Sequence, residues 1–338
     1  MNNTKYTVGG LFSGVGGIEK AFQDAKFDIL WSIESDPHCC RTYRLNFPSH
    51  NLIENDVSDT ANYFNKPIKH KINKVDVLVA GFPCQAFSIA GYRKGFSDDR
   101  GNLFFAITKF IDQIKPKAIL LENVKNLETH NKGETFRTIK YELEKRGYMV
   151  LHKIMNTCDY TAIPQNRERI FIIGFRDKKN SDAFKFPKKV SKEKRKLIKD
   201  FFEAEAQVDT SFYKQYDKTF YEAKKLHAGI KLKDTLYQWR RVDVRENKNN
   251  MCPALTANMG TGGHNVPLRL VKVIKGIKII RKLTPRECFS FQGFKNIKIP
   301  KNISNAQLYK QAGNSVTIPL VTKIAKSIKK ALATSRKS

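Results

Sequence analysis

Short apolar runs alternate with polar, helix-like stretches through the first 175 residues, and this rhythm restricts the fold more than any other feature of the chain. Strands read at 6–12, 27–33, 51–53, 75–80, 118–121, 148–156 and 169–175, with helices over 17–25, 103–114 and 134–146. Such βα units build a largely parallel sheet, because parallel neighbours need a crossover and the crossover is a helix. Residues 176–250 break the rhythm: they are Lys-rich and poorly periodic apart from a helix-like 191–206, and they read as an inserted second domain. Alternation resumes at 266–280. Thr284-Pro285-Arg286-Glu287 then places an N-cap Thr, a first-turn Pro and a Glu three residues after the cap, a capping box that opens a short helix ended by Gly293. In the last helix Ile318, Val321, Ala325, Ile328 and Leu332 recur at three- and four-residue spacings, an apolar face able to pack back onto the first domain. Residues 334–338 read as a frayed tail.

Length, 338 residues, suits two domains, and 41% hydrophobic with 28% charged residues excludes a disordered or fibrous chain. No apolar run approaches the ~18 residues needed to span a bilayer. Met1-Asn2-Asn3-Thr4-Lys5 starts no secretory signal, so a cytoplasmic protein with no membrane partner is expected. Charge says more. Lys and Arg number 62 against 32 Asp and Glu, a formal +30 that points to a polyanionic partner. Residues 1–175 hold 24 basic and 19 acidic side chains, 176–245 hold 20 and 11, and 246–338 hold 18 and 2, so the positive field lies in the C-terminal half. No basic amphipathic helix carries the aromatic face of a membrane binder. The six cysteines, Cys39, Cys40, Cys84, Cys158, Cys252 and Cys288, form no C-x-x-C pair and have no His at zinc-ligand spacing. Neither a disulfide framework nor a metal site is indicated.

Phe12-Ser13-Gly14-Val15-Gly16-Gly17 lies between a strand and a helix, where glycines permit a tight turn and free amides await a carboxylate or phosphate. It lacks the full G-x-G-x-x-G spacing and a Gly-Lys-Ser/Thr, which counts against standard dinucleotide and triphosphate loops. Glu34 ends the second strand, where an acid accepts both hydroxyls of a ribose, and Asp56 follows the third, positioned for an adenine amino group. Together they describe a nucleoside pocket; each acid alternatively caps a helix. The fourth strand runs into Gly81-Phe82-Pro83-Cys84-Gln85, placing a cysteine just past a central strand, where α/β enzymes keep reactive groups. Its polar loop to Gly101, with Gly91 and Gly95 among Lys and Arg, suits a mobile cover and fits poorly with a buried packing cysteine. Glu122 ends the next strand, making an acid and nucleophile pair with Cys84. Gln165, Arg167 and Arg169 share one face if extended geometry begins there, and two arginines facing a pocket bind a base carbonyl and a phosphate.

With these blocks, and with Leu121-Glu122-Asn123-Val124, Leu283-Thr284-Pro285-Arg286-Glu287 and Gln311-Ala312-Gly313-Asn314-Ser315-Val316 following in order, the chain resembles the cytosine-5 DNA methyltransferases of bacterial restriction-modification type. The resemblance runs through nearly the whole chain. It implies an α/β, Rossmann-like S-adenosylmethionine-dependent fold, a mixed sheet with helices on both faces plus a smaller irregular target-recognition domain. The domains would be 1–178 catalytic, 179–278 target recognition and 279–338 a return segment with the last helix. It implies that the Cys84 thiolate adds to cytosine C6, that Glu122 hydrogen-bonds and protonates N3, that Arg167 holds O2 and helps orient the thiol, and that Arg169 lies close to the pocket or the backbone. The implied cofactor, S-adenosylmethionine, leaves as S-adenosylhomocysteine; its contacts would be Phe12, Ser13, Gly14, Gly16, Gly17, Glu34, Ser35, Asp56, Val57, Pro83 and Leu103, with Asn314, Ser315 and Val316 from the far end of the chain. The implied partner is double-stranded DNA with the target cytosine flipped out, touched by Gln85, Ser88, Arg100, Gln165, Arg240, Arg241, Arg245, Thr256, Asn258, Thr261, Gly262, Gly263 and His264. For the arginines, phosphate binding and base readout stay open. Where the family usually has Thr-Leu this chain has Ala254-Leu255, which puts the support of the recognition loop in question. A monomer suffices for this chemistry, and a restriction endonuclease sharing the site is a possible partner. One branch of the family acts on tRNA, and a nucleic-acid-binding protein on a dead transferase fold is the rival of a different class; intact Cys84, Glu122, Arg167 and Arg169 argue against the latter.

Overall fold

The computed structural model describes residues 5–62, 72–83, 103–213, 221–240, 243–260 and 266–334. Two compact units emerge: Met1–Met155 with Glu168–Lys188 and Ile318–Ser338, and Asn156–Arg167 with Lys189–Thr317. Residues 156–167 and 279–317 fold with the second unit, because their buried hydrogen bonds are made there.

In the first unit β1 (Thr7–Leu11), β2 (Asp28–Glu34), β3 (Leu52–Glu54), β4 (Val77–Gly81), β5 (Ala118–Val124), β6 (Met149–Asn156) and β8 (Glu168–Phe175) form a seven-stranded sheet in the order β3-β2-β1-β4-β5-β8-β6; β7 (Gln165–Asn166) lies outside it. The pairs from β3 to β5 are parallel, while β8 runs antiparallel to β5. Each expected strand is present within two or three residues, and the helix Leu103–Ile114 has the expected bounds. Val77, Leu78, Val79 and Ala80 are all fully buried, as both faces of a parallel strand must be when helices cover them. The order reverses between β1 and β4. Such a reversal, at the carboxyl ends of the strands, is the usual place for a ligand in sheets of this kind. The last helix, Ile318–Leu332, buries its apolar face and ties Lys329 Nζ to Lys26 O at 2.9 Å, joining the sheet unit as its periodicity predicts.

The second unit contains β9 (Leu236–Arg240), β10 (Asp243–Asn247), β11 (Cys252–Pro253), β12 (Leu268–Ile274) and β13 (Ile277–Lys282). Four of these strands form an antiparallel sheet ordered β10-β9-β12-β13, while β11 pairs with β7. Leu226 and Ile230 pack with Tyr237, Trp239, Leu268, Leu270 and Ile280 as its core. The resumed alternation at 266–280 is therefore a hairpin of this separate sheet rather than another βα unit. The expected helix over 191–206 is also corrected: that stretch holds three short 3-10 turns at Lys192–Lys194, Ile198–Phe201 and Glu205–Gln207. Polar ties extend it. Arg195 donates to Cys158 O, Glu203 N donates to Glu287 Oε1, and Glu205 pairs with Arg281 and Arg269. Helical propensity yields to these tertiary bonds.

The hub of those ties is Arg281, whose guanidinium is bidentate to Glu287 at 2.7 and 2.8 Å with both side chains fully buried. Glu287 also accepts from Thr284 N at 2.8 Å, completing the capping box read in the sequence. Glu287→Ala leaves the buried guanidinium with Glu205 alone and removes the carboxylate half of the capping box on the helix Pro285–Phe291. A loss of about 3–5 kcal/mol in urea unfolding is the expected result, and a midpoint within error of wild type would assign the pair no stabilising role.

Candidate active site

β1 ends in a turn that few side chains tolerate. Phe12, Gly14 and Gly16 have φ of 53°, 55° and 85°. At Gly16 a Cβ would also lie 2.5 Å from the Phe47 ring, so both backbone and space demand glycine. Glu34, at the end of the neighbouring β2, holds the turn. Its Oε2 accepts from Gly14 N at 2.7 Å, and its Oε1 accepts from Ser35 N and Asp36 N at 3.0 and 2.8 Å. After β3, Asp56 Oδ1 accepts from Ser58 N at 2.7 Å at the start of the helix Val57–Asn62, so the capping alternative describes that oxygen. Val57 is buried, whereas Phe12 and Leu103 are half-buried against the core and Pro83 is exposed. Glycine amides and two carboxylates thus stand at the C-terminal ends of three adjacent strands.

Beneath this turn Glu19 is 1% exposed, and a Cβ on Gly10 would meet its Oε1 at 2.1 Å, so the carboxyl lies directly over the β1 backbone. Burial pushes its pKa from 4.5 up to about 7; the Ser13 hydroxyl and a backbone amide draw it back, and the Glu34 charge pushes it further. The folded state therefore holds this proton more tightly than the unfolded chain. Its contribution is fully present below pH 4.5 and is lost as pH rises through about 7, about 3 kcal/mol in all. Glu19→Gln should flatten that part of the stability profile, measured as urea midpoints on either side of the transition; an unchanged slope would assign the pH dependence elsewhere.

The second cluster lies on β4, β5 and β8. Gly81 pairs with Glu122 across β4 and β5, and a Cβ on Gly81 would stand 3.7 Å from Glu122 Oε2. Glu122 pairs with Phe171 and Val124 with Arg169, so Glu122 and Arg169 are diagonal neighbours on one face. Arg169 Nε lies 3.2 Å from Glu122 Oε1, both side chains largely buried. Burial lowers the arginine's pKa and the Glu122 charge raises it back in part. Asn123, quoted in the sequence motif but given no role there, is 3% exposed; it donates to Phe82 O at 2.9 Å and accepts from Val124 N at 2.7 Å. It fastens the end of β5 to the segment that leads into Cys84. Its polarity amid an apolar strand is the signal that marks it. Cys84 itself, with Gln85, Ser88, Arg100, Arg241, Thr261, Gly262, Gly263 and His264, lies outside the described residues.

In the second unit Arg167 is 2% exposed. Its Nη1 donates to Leu255 O at 2.7 Å and its Nη2 to Gly313 O and Ser315 O at 3.0 and 2.7 Å. The arginine implied for the cytosine carbonyl is thus engaged with three main-chain carbonyls, and it is Arg169 that stands with Glu122. A Cβ on Gly313 would fall 2.3 Å from the Thr256 carbonyl, so the helix Asn305–Asn314 lies flush against the segment at Thr256. Gln165 is fully buried and donates to Phe291 O, leaving it inside the unit rather than on a surface. Thr256, Asn258, Arg240 and Arg245 are exposed, with Thr256 Oγ1 donating to Asn258 Oδ1 at 2.7 Å and Arg240 to Gln238. Asn314 is exposed, Ser315 and Val316 buried. Among the described residues no group of three or more His, Cys, Asp and Glu is arranged to hold a metal ion, and no helix is long and apolar enough to cross a membrane.

The family model "C-5 cytosine-specific DNA methylase" matches residues 6–330. The chain belongs to this family. It is 46% identical over 329 residues to the Type II methyltransferase M.Bsp6I of Bacillus sp. (strain RFL6), covering 96% of this chain and 99% of that one. It is 36% identical to the Type II methyltransferase M.HaeII of Haemophilus aegyptius, over 94% and 91% of the two chains. The solved Entamoeba histolytica methyltransferase EhMeth has the same fold, with TM-score 0.71 at 16% identity over 98% and 99% of the two chains. This cytosine-5 methyltransferase is thus a DNA-methylating enzyme of the bacterial restriction-modification type, built on the Rossmann-like sheet described above.

Proposed function

We propose that the enzyme methylates C5 of a cytosine flipped out of a short, specific duplex site, with Cys84 as nucleophile and Glu122 as acid. The observation that carries this is the buried Glu122–Arg169 pair, 3.2 Å apart, beside the strand that runs through Phe82 and Pro83 into Cys84. Carbon 5 of cytosine is a poor nucleophile. The Cys84 thiolate adds to C6 while Glu122 gives a proton to N3, so electron density rises at C5 and the methyl group is taken there. Loss of the C5 proton, return of the N3 proton to Glu122 and expulsion of the thiolate leave 5-methylcytosine. O2 goes to Arg169 in this reading, because Arg167 is engaged with backbone. Burial makes most of the described thiols poor nucleophiles: it pushes Cys40 up to about 12, holds Cys252 and Cys288 well above the ordinary thiol range and raises Cys158 as well.

S-adenosylmethionine, the family's methyl donor, supplies an electrophilic methyl group on a sulfonium centre. The residues fit it: a Cβ on Gly14 would meet nothing within 4 Å, leaving open space before the turn, with Glu34 and Asp56 at the next two strand ends for ribose and base. Asn314, Ser315 and Val316 are assigned to the same ligand by resemblance. Duplex DNA rather than tRNA is favoured by the Type II relatives, and the role that follows is protection of host DNA from an endonuclease sharing the site, by a monomer in the cytosol.

Tritiated-methyl transfer to unmethylated genomic DNA and to bulk tRNA in parallel, followed by nucleoside analysis, tests the reading. Label as 5-methylcytosine in DNA is expected; label in tRNA alone would overturn it. Cys84→Ala should abolish turnover and keep cofactor binding, and product at the wild-type rate would remove Cys84 from the mechanism.

A further inference from the structure

The hairpin β12–β13 ends in solvent in an unusual way. Its register closes at Ile274↔Ile277 around a two-residue turn in which Lys275 and Gly276 have φ of 46° and 77°, the geometry of a tight type I′ hairpin. Val273, Ile274 and Ile277 at this tip are 48%, 45% and 47% exposed, whereas Leu268, Leu270 and Ile280 at its base are buried in the core of the unit. A Cβ on Gly276 would meet nothing within 4 Å. The outer edge is already blunted, since Lys278 N donates to His227 Nε2 at 2.9 Å, so strand addition is not the use its side chains suggest. Charge supplies the rest: Lys272 and Lys275 are exposed beside the apolar tip, and no acidic residue occurs between Glu246 and Glu287.

Exposed branched aliphatics mark an interaction surface, and the flanking cations favour a nucleic-acid groove, whose floor is apolar at thymine methyls and whose rims are phosphates. A two-stranded ribbon is narrow enough to enter the major groove, about 12 Å wide. We infer that the β12–β13 tip is a second duplex-DNA contact, Ile274 and Ile277 resting in the groove and Lys272 and Lys275 neutralising phosphates on either side. This rests on duplex DNA being the substrate, and it adds a contact that neither the recognition segment nor the catalytic clusters require.

The test is fluorescence-anisotropy binding of the full chain to a labelled plasmid-derived duplex across a salt series, with tritiated-methyl transfer to the unlabelled plasmid alongside. Lys272→Gln with Lys275→Gln should weaken binding about tenfold or more at low salt and reduce the slope of log affinity against log salt by about 2, near 0.9 per phosphate released. Ile274→Ser with Ile277→Ser should weaken binding several-fold and leave the slope as in wild type. Both variants should keep the transfer rate at saturating DNA. Ile277→Ser alone serves if the double change does not fold. Affinity and slope unchanged in both variants would overturn the contact while methylation stands; a wild-type chain that neither binds nor methylates the duplex would overturn the functional reading with it. Self-association in sedimentation that the serine variant abolishes, with DNA affinity intact, would give the tip to a second copy of the chain and overturn the DNA contact.

Discussion

Exchanging Glu122 for Gln should lower the single-turnover rate of methyl transfer by roughly 10²–10⁴, the range over which a positioned general acid contributes. The change is nearly isosteric. An amide oxygen can still face Arg169 Nε, now 3.2 Å from Oε1, so the β5–β8 face keeps its packing. What disappears is a proton to give to the ring nitrogen. The glycine turn is held by Glu34 rather than Glu122, so cofactor affinity should stay within a few-fold of wild type. DNA affinity should likewise survive, which separates lost chemistry from lost binding. A rate within threefold of wild type would mean that N3 takes its proton from elsewhere and that Glu122 serves only to orient Arg169.

The first unit was legible because periodicity and chemistry coincide there. Strands such as 77–81 are uniformly apolar and flanked by turn residues, and Gly14 and Glu34 follow from where the strands stop, while Glu122 stands two residues inside the end of its strand at Val124. One helix, Pro37–Asn46, went unread although its signal is plain: Asp36 caps His38 N and Cys39 N, with Pro37 at the first helical position. Its Cys-Cys-Arg-Thr-Tyr sequence lacks an apolar stripe, so pattern alone passes over it. The second unit was illegible for a different reason. Residues 192–207 carry helix-forming lysines and glutamates, but Glu203 and Glu205 are bound to residues about 80 positions away, and no local rule anticipates an arginine such as Arg281 reaching back to them. The site followed the same division. Adjacent strands placed Glu122 with Arg169, whereas the different bonding of Arg167, two residues away in one motif, comes from carbonyls at 255, 313 and 315 that only the tertiary fold brings in.

That difference yields the largest expected effect on stability. Truncating Arg167 to Ala removes the donor for Leu255 O, Gly313 O and Ser315 O, all in the second unit and all reached by a side chain that is 2% exposed. An unsatisfied buried carbonyl costs about 1–3 kcal/mol, and because the three share one donor the losses combine to roughly 3–5 kcal/mol rather than their sum. The chain offers its own reporter. Of its two tryptophans, Trp31 belongs to the first unit and Trp239 to the core of the second, so in a Trp31→Phe background urea-induced fluorescence change follows the second unit alone. Arg167→Ala should move that transition to markedly lower urea, and DNA affinity should fall because Leu255 O, one of its acceptors, precedes the segment proposed to meet DNA, while enzyme folded at low temperature keeps most of its kcat. Arg169→Ala should do the reverse, losing kcat by more than tenfold with the Trp239 transition unmoved. If Arg167→Ala instead loses kcat with an unchanged Trp239 midpoint, the arginine acts on the base, and the division of labour between the two arginines is the opposite of the one drawn from their hydrogen bonds.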